Sequence, residues 1–259
     1  MRVISWNLLH GSAPLPGAPE PELTTPFLAL QAELAPDLIG LQEVDENQPR
    51  SGGAKQVAQI AAAIGSEHWA YARSVIGTPG EKWRKPKAHE AILHAHFDQP
   101  SYGIGLISRT PVTNWHRIDL GRSWIGMPLL VGGKRGLRIL YVKDEPRVAL
   151  IAELANGYTV AVTHLSFVPI VNYLQLRRLQ RVMKGLPGKR VIIGDLNLPF
   201  AIPHRLTRWH SLVPQSTYPS WKPAIQFDYI MSEELESGSA MVIPRSEMSD
   251  HLPIGFDFD

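Results

Sequence analysis

The sequence contains no cysteine among its 259 residues. This absence excludes disulfide bonds, thiolate metal sites and cysteine nucleophiles, although it does not by itself identify a cellular compartment. Long hydrophobic runs are also absent, since no segment approaches the roughly 18 consecutive apolar residues of a membrane-spanning helix. Residues 1–11 carry one arginine and a polar interruption at Asn7, unlike a signal peptide. We therefore expect a cytoplasmic protein with no transmembrane segment.

Neither sign of charge is in large excess. The chain has 26 Lys and Arg against 24 Asp and Glu, a formal net charge of +2, so any affinity for nucleic acid or anionic membranes must come from local clusters. Hydrophobic residues make up 44% and charged residues 19% of the chain, which is typical of a globular protein with a large core. With no repeat, low-complexity tract or interdomain linker, we predict a single domain spanning residues 1–259, acting as a monomer.

Periodicity predicts both strands and helices. Apolar positions at helical spacing and capping residues predict helices within residues 24–37, 54–65 and 172–188. Buried strands are predicted at residues 1–9, 37–44, 68–77, 102–109 and 190–197, with further strands at 225–231 and near the end of the chain. The runs on either side of Asn156-Gly157 predict a β-hairpin with a primed turn.

Polar residues recur where the apolar strands end. Taken singly, Asn and Asp after a strand are usually turn formers, and a buried His is usually a satisfied core residue. Strands of a packed sheet end on a common edge, however, and many carboxylates buried together need a cation to neutralise them. Oxygen ligands without cysteine favour Mg²⁺ or Mn²⁺. The residues concerned are Asn7, Glu43, His164, Asp195, Asn197, Asp228, Asp250 and His251.

Several short motifs also occur in the order found in a known superfamily. They are SWN at residues 5–7, LQE at 41–43, GDLN at 194–197, FDYI at 227–230 and SDHLPI at 249–254. In this respect the chain resembles the endonuclease/exonuclease/phosphatase superfamily, the deoxyribonuclease I-like group, over essentially its whole length. The resemblance implies a four-layer α-β-β-α sandwich, with two mostly antiparallel sheets face to face and helices outside. It also implies hydrolysis of phosphoesters with Mg²⁺ or Mn²⁺.

The resemblance further implies roles for individual residues. Glu43 resembles the main metal-binding carboxylate, with Asn7 and Asp250 close to the metal. Asp195 and Asn197 resemble the pair that orients the attacking water and the phosphate. His251 resembles the catalytic imidazole and Asp228 its orienting carboxylate, an arrangement that fixes the tautomer and raises the pKa of the imidazole.

His164 narrows the choice of branch within the superfamily. The segment VTHLSF resembles the histidine-bearing branches, which include deoxyribonuclease I, neutral sphingomyelinases, deadenylases and inositol-polyphosphate phosphatases, and this disfavours an apurinic endonuclease. Arg147 resembles an arginine on the preceding strand that would suit phosphate binding through its planar fork. A solvated arginine at the edge of a hairpin is an equally good interpretation of Arg147. Glu67 is a further candidate partner for His164.

Two basic regions and one aromatic loop bear on the substrate. The basic stretch within residues 73–89, which includes Trp83, favours binding of a nucleic-acid backbone or a polyphosphate group. The arginines of the third helix are better interpreted as its solvated face. Trp209, Tyr218 and Trp221 could stack on a base, line a lipid groove or only hold a proline-rich loop.

Three functions remain open on the sequence. The leading one is a metal-dependent phosphodiesterase or nuclease acting on a phosphoester substrate, with nucleic acid as a possible partner. The second is a phosphatase or sphingomyelinase-like hydrolase of small-molecule or lipid phosphoesters. The third is an inactive binding module with the same fold, which the intact set of polar residues at the strand ends disfavours.

Overall fold

The structure is a computed structural model that describes residues 1–91, 93, 97–133 and 136–259. Its helices and strands, in chain order, are β1 (Arg2–Asn7), α1 (Thr25–Leu34), β2 (Leu38–Glu46), α2 (Gln56–Ala63), β3 (His68–Gly77), β4 (Trp83–Arg84), β5 (Ser101–Ser108), β6 (Val112–Gly121), β7 (Met127–Gly133), β8 (Gly136–Val142), β9 (Arg147–Leu154), β10 (Tyr158–His164), α3 (Val171–Met183), β11 (Lys189–Asp195), α4 (Ile202–Thr207), β12 (His210–Ser211), β13 (Asp228–Ser232), β14 (Gly238–Ala240) and β15 (Ile254–Phe258).

The strands form two large sheets and one separate hairpin. The first sheet has the order β14-β15-β1-β2-β5-β3-β4, and the second has the order β12-β13-β11-β10-β9-β6. Strands β7 and β8 pair only with each other. Most neighbours are antiparallel, but β1 is parallel to β2 and β10 is parallel to β11.

The apolar side chains divide into three clusters that define four layers. The cluster between the sheets includes Val3, Val162 and Ile193. A second cluster packs α1 and α2 on the outer face of the first sheet, and a third packs α3 on the outer face of the second. The alternation of side chains along a strand explains this arrangement, since Val3 faces the other sheet while Ile4 faces the helices. The four-layer sandwich predicted from the sequence is confirmed.

The predicted elements are largely confirmed. Helix α1 begins at Thr25, and Thr24 is its N-cap residue. The carboxylate of Glu22 accepts hydrogen bonds from the backbone N–H groups of both threonines. Helix α3 ends at Met183, five residues before the end of the predicted segment. The hairpin around Asn156-Gly157 is the β9-β10 pair.

The sequence did not predict the region before that hairpin. Strand β6 and the β7-β8 hairpin lie between residues 112 and 142, where no elements were assigned. The basic stretch within residues 73–89 is not exposed throughout, because Arg73 lies inside β3 and is buried against Glu46. Residues 78–100, whose sequence is polar and basic, include some that lie outside the described residues. No helix in the described ranges is long and apolar enough to cross a lipid bilayer.

Candidate active site

The parallel strand pairs bring the polar strand ends to one edge of the sandwich. In the first sheet, Asn7 at the end of β1 is in register with Gln42 of β2. In the second sheet, His164 at the end of β10 is in register with Asp195 of β11, which pairs in turn with Asp228 of β13. The ends of both sheets therefore meet, and their side chains share one site.

Asn7 links the two sheets directly. Its Nδ2 donates hydrogen bonds to Oε1 of Glu43 at 3.0 Å and to Oδ2 of Asp195 at 3.1 Å. Glu43 lies in a β-bulge between Leu41 and Val44, with a φ of 54°. Bulges change the direction in which a side chain points and are frequent beside active sites. The left-handed backbone of Glu43 costs about 1–2 kcal/mol, and strain of this kind tends to cluster at functional sites.

A tight turn positions Asp250 and His251. Ser249 has a φ of 70°, and its Oγ donates to the carbonyl oxygen of Asn7 at 2.6 Å. The same Oγ accepts the backbone N–H of His251 at 3.0 Å, and the indole of Trp6 donates to the His251 carbonyl at 3.1 Å. The backbone bends at this turn, so Asp250 and its neighbour His251 can line one cavity although adjacent residues of a straight strand point apart.

His251 is bonded to a buried carboxylate. Its Nδ1 lies 2.7 Å from Oδ2 of Asp228, which also accepts a hydrogen bond from the Thr217 hydroxyl at 2.5 Å. The other ring nitrogen, Nε2, lies 3.8 Å from Oδ2 of Asp195. Burial opposes the imidazolium, but the negative charges of Asp228 and Asp195 outweigh it and raise the pKa of His251 to about 10. In the absence of a metal, His251 is therefore a cation at neutral pH.

His164 has the opposite electrostatic environment. Its Nε2 lies 3.1 Å from Nδ2 of Asn197, whose amide donates because the imidazole is neutral. Burial, followed by the positive charges of Arg147 and His251, lowers the pKa of His164 well below its usual value. The site thus contains one charged and one neutral imidazole.

The carboxylates at this edge are crowded. Burial raises the pKa of Asp195 to about 7, and Asp228 and Glu43 add to this effect while His251 opposes it. Burial likewise raises the pKa of Asp250 to about 6, again with a contribution from Glu43. Ionisation of these buried carboxyl groups is therefore unfavourable, and a bound cation would favour it.

Unpartnered carboxylate oxygens at this edge are suited to bind a divalent cation. Oδ1 of Asp250 and Oδ1 of Asp228 are buried and have no hydrogen-bond partner within the described part of the chain. Among the described residues, Asp195, Asp228 and His251 offer possible ligand atoms that lie within 4.8 Å of one another. This group differs from the predicted set of Glu43, Asn7 and Asp250. Nδ1 of His251 is already bonded to Asp228 and is therefore not free to bind a metal.

Arg147 is buried, so its interpretation as a solvated hairpin arginine is wrong. Its Nη2 lies 3.6 Å from Asp144 and its Nη1 lies 3.4 Å from Glu145. The guanidinium also lies over the ring of Phe167, 6.0 Å from its centroid. Burial and the charge of Glu43 raise the pKa of Glu145, and the positive charge of Arg147 opposes this shift.

Glu67 does not support His164, and two of the aromatic residues considered for the substrate rim do not line the site cavity. His164 lies 3.5 Å from Asp195 and 4.0 Å from Glu43, whereas Glu67 is exposed and precedes the opposite end of β3. Trp209 is only 2% exposed and belongs to the apolar cluster under α3, because its ring packs in the core. Trp221 is 50% exposed and does not line the site cavity.

The aromatic rim instead comes from other residues. The ring of Tyr218 lies 5.0 Å from that of His251, as expected for a residue at the substrate rim. The cavity at this edge has a volume of about 680 Å³. Its lining combines Glu43, His164, Asp195, Asn197, Asp250 and His251 with the rings of Tyr102, Phe167, Tyr218 and Phe227.

The sequence analysis missed two supporting residues. Thr217 donates to Asp228, and Asn172 of α3 donates to the carbonyl oxygen of Asn197 at 2.9 Å. Asn197 itself has a φ of 48°, and its backbone N–H donates to Asp195 at 2.9 Å. Neither Thr217 nor Asn172 belongs to a local motif, so only the tertiary structure identifies them.

Solved structures with a similar fold span the whole chain. A protein described as an endonuclease/exonuclease/phosphatase from Beutenbergia cavernae has a TM-score of 0.63 at 19% identity, with 99% of this chain and 70% of that chain covered. The catalytic domain of human Nocturnin, with a bound sulfate anion, gives a TM-score of 0.60 at 18% identity and covers 100% of this chain and 93% of that one. The 3′ phosphatase NExo from Neisseria, bound to a product DNA hairpin, gives 0.58 at 14% identity and covers 100% and 99%.

Sequence comparison supports the same assignment. No curated protein sequence matches the chain. The family model of the Endonuclease/Exonuclease/phosphatase family matches residues 4–251, which include every polar residue placed at the site above. This match covers nearly the whole chain, and the fold and the predicted motifs agree with it. The chain therefore belongs to the endonuclease/exonuclease/phosphatase family, whose members hydrolyse phosphoester bonds.

Proposed function

We propose that this chain is an Mg²⁺- or Mn²⁺-dependent phosphodiesterase of the nuclease type. The observation that carries the proposal is the His251–Asp228 pair, with a 2.7 Å bond, facing Asp195 across the junction of the two sheets. An imidazolium held beside crowded carboxylates is suited to a reaction in which negative charge develops on an oxygen atom.

Glu43, with Asp250 and Asn7 beside it, would hold the metal. Support comes from the buried, unpartnered oxygen of Asp250 and from the raised pKa of the same carboxyl group. Asn7 donates from Nδ2 to both Glu43 and Asp195, and its Oδ1 is the amide atom that could ligate the cation. When bound, the cation would neutralise phosphate oxygens and so reduce their repulsion of a nucleophile.

His251 and Asp228 act as a unit. Asp228 accepts a hydrogen bond from Nδ1–H, which leaves the Nε2–H directed into the cavity. From there Nε2–H can donate a hydrogen bond to a phosphoryl oxygen as its negative charge grows. Thr217 holds the Asp228 carboxylate in position.

Asp195 and Asn197 are placed to orient the attacking water. Asp195, with a pKa raised to about 7, is a suitable base for a water proton near neutral pH. Its Oδ1 is held by the backbone N–H of Asn197. The neutral His164 accepts a hydrogen bond from the side-chain amide of Asn197 and so holds it in place. Arg147 lies between two carboxylates at the cavity wall and would bind a phosphate oxygen.

Hydrolysis of bis(p-nitrophenyl) phosphate with Mn²⁺ tests the proposal. We expect His251→Ala and Asp195→Asn each to reduce kcat by about 10²- to 10⁴-fold. Arg178→Ala is the matched control, because Arg178 is exposed on α3 and does not line the site cavity. Wild-type rates on plasmid DNA, RNA, p-nitrophenyl phosphate, sphingomyelin and inositol phosphates then define the substrate class. Turnover of monoesters with no turnover of any diester would reject the proposal in favour of a phosphatase.

A further inference from the structure

A second cleft continues from the site cavity. It has a volume of about 810 Å³ and lies between the β4 segment, the end of β6 and the start of β9. Lys143 and Arg147 line both the cleft and the site cavity. A molecule long enough to extend past the scissile bond would therefore enter this cleft.

The lining of the cleft is predominantly cationic. Its positive residues are Lys82, Arg84, Lys85, Arg122, Lys143 and Arg147, against the negative residues Glu81 and Asp119. Arg84 is paired with Glu90, and Lys85 is paired with Asp119. Lys82, Arg122 and Lys143 have no carboxylate within ion-pair distance among the described residues, and they are available to an anionic ligand.

Two tryptophans flank one of these free cations. The guanidinium of Arg122 lies 5.2 Å from the ring centroid of Trp83 and 5.5 Å from that of Trp124. Trp124 is 92% exposed, which is unusual for so large an apolar side chain without a ligand.

The exposed tryptophan is held on an ordered segment. The backbone N–H of Ser123 donates to Asp144 at 2.6 Å, and that of Gly126 donates to the Tyr141 hydroxyl at 2.9 Å. These bonds anchor the segment on both sides of Trp124. The ring is thus presented to the cleft by fixed backbone rather than by a free loop.

We propose that this cleft binds unpaired nucleotides of a single-stranded nucleic acid next to the phosphodiester that is cleaved. Bases would stack on Trp83 and Trp124, and backbone phosphates would bind Lys82, Arg122 and Lys143. Alternating aromatic rings and free cations match the alternation of bases and phosphates along a single strand. A duplex keeps its bases stacked internally and could not use the rings. The inference rests on the proposed function and assigns it a substrate class.

Fluorescence anisotropy of labelled oligothymidylate in EDTA, which prevents metal-dependent cleavage, tests the cleft on the full-length chain. We expect the 12-mer to bind more tightly than the 3-mer, and Trp124→Ala to weaken the 12-mer about 5- to 100-fold. Trp124→Phe should retain most of the affinity, because the ring remains. Arg122→Ala should also reduce the salt dependence of log K by about 0.7 for the phosphate contact that is lost. Arg178→Ala is the matched control and should bind like the wild type.

The outcomes separate this inference from the proposed function. Hydrolysis of bis(p-nitrophenyl) phosphate should be unchanged in Trp124→Ala, because that small diester does not reach Trp124. Binding of both oligonucleotides with equal affinity, or unchanged 12-mer binding by Trp124→Ala, would overturn the inference even if hydrolysis occurs. The inference would also be overturned if Trp124→Ala lost binding to anionic lipid vesicles but bound the 12-mer like the wild type. Tight, Trp124-dependent 12-mer binding by a protein that hydrolyses no diester would support the cleft while rejecting the proposed function.

Discussion

Replacement of Ser249 tests how the site is assembled, because this residue supports the site without facing the cavity. Ser249 is fully buried, and its Oγ donates to the Asn7 carbonyl and accepts from the His251 N–H. Ser249→Ala leaves both backbone groups without this partner. Each orphaned buried group costs about 1–3 kcal/mol, and with partial relaxation we expect a loss of about 2–4 kcal/mol in the free energy of unfolding.

This loss can be measured by thermal and urea denaturation. For a chain of this size it corresponds to a decrease in Tm of about 5–15 °C. Since Ser249 ties the turn of His251 to the strand of Asn7, we also expect kcat to fall at least about tenfold through misplacement of the imidazole. Ser239→Ala, on the exposed strand β14, is the control and should change stability by less than about 0.5 kcal/mol.

A glycine variant separates the hydrogen bonds from the backbone conformation. Both Ser249→Ala and Ser249→Gly lose the hydroxyl, but glycine accepts the φ of 70° without strain. We therefore expect Ser249→Gly to be less destabilised than Ser249→Ala. If Ser249→Ala unfolds within about 0.5 kcal/mol of the wild type and keeps full activity, this reasoning is refuted.

Three further predictions follow from the electrostatics and packing. In metal-free protein at pH 7.5, ¹⁵N NMR should show His251 as an imidazolium and His164 as a neutral ring, and a neutral His251 would contradict the assigned environment. Hydrogen bonds from the Arg84 guanidinium and from the backbone N–H of Lys87 lower the pKa of Glu90 to about 2. The ionised carboxylate therefore stabilises the fold fully above its ordinary pKa of 4.5. That stabilisation is lost as the pH falls toward 2, and the stability difference between the wild type and Glu90→Gln in urea should shrink from pH 5 to pH 2; a constant difference would contradict it. Gly194 has a φ of +134°, and an added Cβ would collide with the Thr163 carbonyl of β10, so Gly194→Ala should lower Tm and activity together, whereas unchanged values would contradict the packing.

The sequence predicted the parts of the site that follow from strand ends. Asn7, His164 and Asp195 terminate parallel strands, and parallel strands must end on a common edge. The proximity of His164 to Asp195 was therefore predictable within one sheet, whereas the proximity of Asn7 to Asp195 depends on how the two sheets pack. Asp228 was also predicted at this edge, but it lies at the start of a strand antiparallel to that of Asp195, and this pairing was not predicted.

Other features depended on tertiary structure. Burial, followed by the positive charge of Arg147, lowers the pKa of His164, whereas Asp228 raises the pKa of His251 despite its burial, and no local motif encodes these environments. Trp209 was one of three aromatic residues that the sequence left open as lining the substrate site or only holding a proline-rich loop, and it is buried in the apolar cluster under α3.

The sequence indicated only one side of the second cleft. Its β4 side, with Trp83, was identified as basic and aromatic. Its other side, with Arg122 and Trp124, belongs to the region of β6 to β8 that the periodicity did not resolve. Pairing across that region is nonlocal, so the juxtaposition of the two tryptophans could not be predicted.

Metal dependence of diester hydrolysis tests the central claim most directly. Wild-type protein freed of metal with EDTA is assayed on bis(p-nitrophenyl) phosphate during titration with Mn²⁺, in parallel with Glu43→Gln and the control Arg178→Ala. We predict no turnover before the titration, saturable activation of the wild type and the control, and at least about tenfold more Mn²⁺ for half-activation of Glu43→Gln, because an anionic ligand is lost. Equal turnover with and without Mn²⁺, or identical titrations of Glu43→Gln and the wild type, would contradict the claim that these strand ends form a metal-dependent phosphodiesterase site.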